Sequence, residues 1–281
     1  MKTAFQSNIL PFSKGQTEQE SSYVHPESGL LYCTECHSAK QIRLNVPALG
    51  EQIVPILCQC QREAHQKATE QQRAREHFQK VQHLKNTGIH DKSLRTWTFQ
   101  NDNGQNAHIA KAKRYVDQWQ RMKAENIGLL LWGNVGSGKS YVAACIANAL
   151  LEQNIPVLMT NFSKILNTLN SLYKEDRNKY IQDLNRYSLL VIDDLGIERN
   201  TEYALEQVYN IIDARYTAGK PLIVTTNLHL DDIREPEDLA HERMYSRILE
   251  MCVPIRFTGE DLRKNKASAK MELAVKLFED V

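Results

Sequence analysis

No run of apolar residues in this 281-residue chain approaches the ~18 that a membrane span needs. The opening residues, Met1 to Gln6, lack the apolar core of a signal peptide. A surplus of charge is also missing. Thirty-five Lys and Arg stand against 34 Asp and Glu, a formal net charge of +1. This excludes a histone-like polycation and leaves any nucleic-acid contact to local patches. No internal repeat is present. Hydrophobic residues at 42% and charged residues at 25% match an ordinary globular protein, which excludes a collagen, a coiled-coil rod or a chain disordered throughout. The expected compartment is the cytoplasm, with no membrane contact. Disulfides rarely persist there, so the six cysteines need another explanation.

The length suggests about two domains. Cys33, Cys36, Cys58 and Cys60 crowd the first quarter, while Cys145 and Cys252 lie far downstream and read as small core residues. The first 25 residues are polar and expected to be loosely ordered. Residues 28–62 hold too little apolar material for a core of their own, which points to a metal staple. Residues 61–85 contain no Gly or Pro and read as a solvated helix. From about residue 94 the pattern changes. Helical material over 107–123 leads into the apolar run 128–132, and similar runs follow at 156–159, 189–192, 222–226 and 251–255. Longer helix-compatible segments separate them, so the expected fold is α/β, a parallel sheet covered on both faces. The expected division is 1–62 as a metal-binding module, 63–93 as a helical linker and 94–281 as the sheet domain.

Gly133, Asn134, Val135, Gly136, Ser137, Gly138, Lys139 and Ser140 fit G-x-x-x-x-G-K-[ST] at every position, between an apolar strand and a helix that opens at Tyr141. Glycines let backbone N–H groups turn inward around phosphate oxygens, and the helix N-terminus adds partial positive charge. Lys139 supplies a full charge near the β- and γ-phosphates of ATP, and the Ser140 hydroxyl is a ligand for Mg²⁺. Residues 188–194, Ser-Leu-Leu-Val-Ile-Asp-Asp, give the matching second half: a central strand with two carboxylates where ligands bind in open α/β sheets. Asp193 is the expected Mg²⁺ residue and Asp194 the residue that polarises the attacking water. Asn227 closes the next strand beside the γ-phosphate. Alone it reads as a turn residue, and only the two preceding motifs raise it to a candidate.

Cys33-x₂-Cys36 and Cys58-x-Cys60 can close a tetrahedron of four thiolates around Zn²⁺. The second pair is one residue shorter than the usual spacing, and His37 or His65 can replace a thiolate. Cys33 to His37 also fits the attachment pattern of c-type haem, which would leave Cys58 and Cys60 unexplained. A disulfide framework fits the cytosol poorly.

On the residues 133–140, 189–196 (Leu-Leu-Val-Ile-Asp-Asp-Leu-Gly), 225–227 (Thr-Thr-Asn) and 242–248 (Glu-Arg-Met-Tyr-Ser-Arg-Ile), the stretch from 94 to 263 resembles an AAA+ ATPase of the DnaC/DnaI helicase-loader group, which includes the IstB-type transposition helpers. The resemblance implies a three-layer P-loop fold, slow partner-stimulated ATP hydrolysis and self-association through the ATPase domain. It implies that Arg247, with Arg243 as second choice, reaches a neighbouring subunit's nucleotide, and that Arg263 senses the nucleotide. Most AAA+ proteins carry Glu where this chain has Asp194. The shorter side chain points to slow intrinsic hydrolysis, with Glu198 as another candidate acid. The stretch 162–187 resembles the extra helical element that faces DNA in initiator and loader ATPases. Tyr173, Lys174, Arg177, Thr201 and Tyr203 are its candidate contacts with single-stranded DNA, through stacking and phosphate pairing. Some loaders carry a similar N-terminal zinc module that engages a hexameric replicative helicase. The rival readings are a transposition helper on duplex DNA, a small-molecule kinase and a zinc-based nucleic-acid adapter with an idle nucleotide site.

Overall fold

The computed structural model describes residues 21–281 other than 48, 103, 105, 197–200, 260, 262–269, 273, 276–277 and 279–281. The chain divides into two compact units, Met1–Phe78 and Gln79–Val281.

In the first unit, β1 (Ser22–Val24) pairs antiparallel with β2 (Leu31–Cys33), and β3 (Gln41–Val46) pairs antiparallel with β4 (Gly50–Pro55). β1, β2 and β4 are short or lack alternation, but β3 alternates polar and apolar residues from Gln41 to Val46, a strand signal that sequence reasoning missed. Helix α1 (Gln59–Gly88) begins in this unit and ends in the second. It covers the expected 61–85 helix, and only Val81 and Gly88 are buried along it.

The second unit is a three-layer α/β domain. Its sheet holds β5 (Gly128–Gly133), β6 (Val157–Asn161), β7 (Leu189–Leu195), β8 (Leu222–Thr226) and β9 (Cys252–Phe257), all parallel, in the order β6-β7-β8-β5-β9. The five apolar runs seen in the sequence are these strands. β5 and β8, and most of β6 and β7, are buried on both faces and so run continuously apolar, whereas the edge strand β9 is largely exposed between Cys252 and Phe257. One face is covered by α2 (Ile109–Asp117), α3 (Trp119–Ala124) and α4 (Lys139–Glu152). The expected 107–123 helix is broken in two at Gln118, whose φ of −100° and ψ of 19° leave the helical region.

The other face is covered by α5 (Phe162–Ser171), α6 (Lys174–Leu184), α7 (Glu202–Thr217) and α9 (Leu239–Met251), with the short α8 (Leu230–Arg234) before α9. Ile165, Leu166 and Leu169 of α5 pack into this second core, as their helical spacing implies.

One buried cation fixes the strand entries. Arg215 of α7 has no exposed surface, and its guanidinium donates to the carbonyls of Tyr187, Ser188 and Pro221 at 2.7–3.2 Å. Burial lowers its pKa to about 10, so it remains charged at neutral pH. Those carbonyls precede β7 and β8, so one side chain ties the C-terminal turn of α7 to two strand starts. Among the described residues no helix is long and apolar enough to cross a membrane.

Candidate nucleotide site and cysteine cluster

The turn between β5 and α4 is built on positive-φ glycines. Gly136 has φ 75° and Gly138 has φ 93°, a region that β-carbon-bearing residues avoid. A β-carbon on Gly136 would also strike the carboxylate of Asp261. The Ser137 hydroxyl donates to the Asn134 carbonyl at 2.7 Å and tightens the turn. Lys139 opens α4 and is buried. Its Nζ donates to the carbonyls of Gly133 (2.9 Å) and Asn134 (2.7 Å) and to Asn227 Oδ1 (2.8 Å). The phosphate-loop lysine and the residue just after β8 therefore meet, although 88 positions separate them.

The acid pair sits at a bulge. Ile192 pairs with Val224 and Leu195 with Thr226, so Asp193 and Asp194 together stand opposite Thr225. The extra residue is accommodated by Asp194 at φ 59°, a conformation that Asp and Asn tolerate better than most residues. Thr225 serves both acids. Its hydroxyl donates to Asp193 Oδ1 at 2.6 Å and accepts the Asp194 N–H at 2.9 Å. Thr226 donates to the Leu195 carbonyl and accepts the Leu228 N–H, which fixes the turn after Asn227. The two threonines are thus the supports of the site that sequence reasoning missed. The signal lay in the Thr-Thr-Asn run itself, of which sequence reasoning assigned a chemical role to Asn227 alone.

Beside the phosphate loop lies a mainly apolar cavity of about 370 Å³, with His108, Tyr115, Leu131, Val142, Ile255 and Phe257 in its wall. His108 stacks on Phe257 with ring centroids 4.0 Å apart, and its Nδ1 is buried without a hydrogen-bond partner among the described residues. Burial holds its pKa below the usual imidazole value. The Phe257 carbonyl packs against Gly133, so the cavity adjoins the turn. Tyr141, the next residue of α4 after Ser140, donates to the Thr98 carbonyl at 3.1 Å.

The remaining candidates have different settings. Arg247 of α9 is ion-paired to Asp213 at 2.9 Å, and Arg243 is exposed. Tyr173 is 85% exposed beside an exposed Lys174. Arg177 turns inward, donates to the carbonyls of Leu169 and Leu172, and lies 5.6 Å over the Tyr203 ring. Thr201 caps α7 by accepting the Ala204 N–H. Glu198 and Arg263 lie outside the described residues.

The four N-terminal cysteines converge. Their Sγ atoms all lie within 4.8 Å of one another, with Cys33–Cys60 at 3.6 Å and Cys58–Cys60 at 3.2 Å. A tetrahedron with metal–sulfur distances of about 2.3 Å has edges of about 3.8 Å. All four thiols are free and the group contains no histidine. This set can hold a metal ion. Crowding splits their ionisation: the Ser38 hydroxyl and nearby N–H groups lower the Cys36 thiol to about 5, while hydrogen bonds from Cys58 and burial push Cys60 up. Ser38 also accepts the Gln59 N–H at 2.7 Å, which ties one cysteine turn to the other.

The family model for IstB-like ATP binding proteins matches residues 61–270. The chain belongs to that family. This IstB-like protein is 27% identical over 149 residues to the replicative helicase loader DnaC of Escherichia coli strain K12, covering 52% of this chain and 58% of the relative. It is 27% identical over 147 residues to the replicative helicase loader DnaI of Bacillus subtilis strain 168, covering 48% and 47%. The chain thus spans about half the length of the curated relatives it matches. A crystal structure of the DnaC helicase loader superposes with a TM-score of 0.50 at 25% identity, over 60% of this chain and all of that one. The sheet domain has the AAA+ type of fold. The cysteine cluster lies outside the residues that the IstB-like model matches.

Proposed function

We propose that this protein is an ATP-dependent loader that delivers a hexameric replicative DNA helicase onto single-stranded DNA in the cytoplasm. The observation that carries the reading is that Lys139 at the start of α4 bonds Asn227 just after β8, while Thr225 of the same strand holds the Asp193–Asp194 bulge of β7. The similarity to DnaC and DnaI supports the choice of partner.

The N–H groups of residues 133–140 would cradle the phosphates, and Tyr141 and the His108–Phe257 cavity would receive the nucleoside. Lys139 would move its charge to the β- and γ-phosphate oxygens. Ser140 and Asp193 would hold Mg²⁺, which when bound neutralises phosphate charge. Asp194 would take the proton of the water whose oxygen bonds the γ-phosphorus as the bridging P–O bond breaks, with Asn227 orienting that water. Arg247 would reach the triphosphate of a neighbouring copy, and Arg263 would respond to the nucleotide in its own. Tyr173 and Lys174, with Arg177, Thr201 and Tyr203 behind them, would face the single strand. Residues 1–62 would grip the helicase, 63–93 would link, and 94–281 would form the ATPase.

Mixing the protein with a replicative helicase and ATP, then weighing the complex, tests the reading. A defined complex is expected, and Lys139→Ala should abolish its nucleotide dependence. No complex with any hexameric helicase rejects the proposal. The alternative within the same family is an IstB-like transposition helper, which predicts preference for duplex DNA and no helicase partner.

We further propose zinc as the metal of the Cys33, Cys36, Cys58 and Cys60 cluster. About one zinc per chain is expected by elemental analysis. Cys36→Ser should lose it and release thiols to a colorimetric thiol reagent. Full zinc content in that variant would discard this ligand set.

A further inference from the structure

Two arginines of the α7–α9 layer are held in contrasting ways. Arg215 is fully buried, and its Nε, Nη1 and Nη2 all donate to carbonyls. Arg247 keeps 26% of its side chain exposed, and Asp213 keeps 40%. Its Nη2 lies 2.9 Å from Asp213 Oδ1, and its Nη1 donates to the Arg243 carbonyl at 3.2 Å. Its guanidinium lies 4.8 Å from the Tyr209 ring centroid and 5.6 Å from that of Tyr216. Tyr209, Asp213 and Tyr216 stand at i, i+4 and i+7 on α7, so they form one face. Glu250, three residues after Arg247, accepts the Tyr216 hydroxyl and fixes that ring.

This is a cradle suited to a guanidinium: two aromatic faces and a carboxylate. It is also incomplete. Arg247 Nε is buried without a hydrogen-bond partner among the described residues. A structural rivet leaves no guanidinium nitrogen without an acceptor, as in Arg215. A buried donor left unmatched costs free energy, which lowers the barrier to exchanging this cradle for a better acceptor.

We infer that Asp213, with Tyr209 and Tyr216, holds Arg247 within its own protomer, and that assembly exchanges this hold for a neighbour's phosphate oxygens. Asp213 is then a positioning residue that sets the protein concentration at which the ATPase assembles. The inference rests on the proposed role of Arg247 between subunits. It adds that the arginine is withheld in the single protomer and that α7 does the withholding. A half-exposed ion pair is a weak hold, so its removal should act on the assembly midpoint without changing the site that binds ATP.

The test uses the full chain with ATP and Mg²⁺ over a range of protein concentrations. Sedimentation reads the mass, and turnover per subunit is read in parallel. Asp213→Asn should move both midpoints to roughly two- to fivefold lower concentration, with the plateau turnover unchanged. Tyr209→Leu should shift them the same way and carries the test if Asp213→Asn melts below the assay temperature. Arg247→Ala should bind ATP but neither assemble nor turn over. A midpoint for Asp213→Asn, or for Tyr209→Leu in its place, at or above that of the unmodified protein overturns the holding role and leaves the role of Arg247 standing. Unchanged assembly and turnover in Arg247→Ala would sink the role of Arg247 and the inference with it.

Discussion

Replacing Arg215 with methionine is expected to lower the thermal midpoint of the sheet domain by roughly 6–12 °C. Methionine preserves most of the apolar volume and removes every donor. The carbonyls of Tyr187, Ser188 and Pro221 would then lose the partner that Arg215 gives them. A buried acceptor left unmatched costs about 1–3 kcal/mol, partly offset because a buried cation no longer has to be desolvated, so a net loss of roughly 3 kcal/mol is expected. For a domain of about two hundred residues each kcal/mol moves the midpoint by about 2–4 °C. Calorimetry checks it, with Arg247→Met as the comparison. Arg247 is partly exposed and pairs with a partly exposed acid, so its loss should cost on the order of 1 kcal/mol or less. A methionine variant at position 215 melting within about 2 °C of the parent would show that the guanidinium is not what holds the strand entries.

The second large effect concerns turnover. Asp194→Asn is expected to lower the ATP hydrolysis rate by about 10²–10⁴-fold while leaving ATP binding intact. Asparagine is the appropriate change because Asp194 sits at φ 59°, which asparagine also tolerates, so the bulge opposite Thr225 should persist. What would be lost is the carboxylate proposed to accept the proton of the attacking water. Single-turnover hydrolysis together with nucleotide-binding titration separates the two quantities. A variant hydrolysing within about threefold of the parent would remove Asp194 from the role of base, against the loss of at least about 10² expected of a true one.

The parts of this protein that were legible in the sequence are local ones. The turn over residues 133–140, the acid pair at 193–194 and the two cysteine pairs each occupy a few adjacent positions. Their chemistry follows from residue type and spacing. Four of the strands were legible because burial on both faces makes them largely apolar, and β9 through the short run from Met251 to Ile255 although it is mostly exposed. The break at Gln118 was not, since nothing in the residues around it disfavours continuing the helix. In the first unit Ile42, Leu44 and Val46 alternate with polar residues and did signal β3, whereas β1, β2 and β4 carry no such pattern.

Everything else was settled by pairings between positions far apart in the chain. Thr225 serves both acids across 31 and 32 positions, Lys139 meets Asn227 across 88, and Asp213 holds Arg247 from another helix. Such contacts depend on strand order and register, which fix neighbours only once the sheet has formed. A sequence pattern records what a segment buries, not which segment it is buried against. The motifs therefore determined what chemistry this protein can hold. The tertiary structure decided which side chains support it and that Arg247 pairs with Asp213.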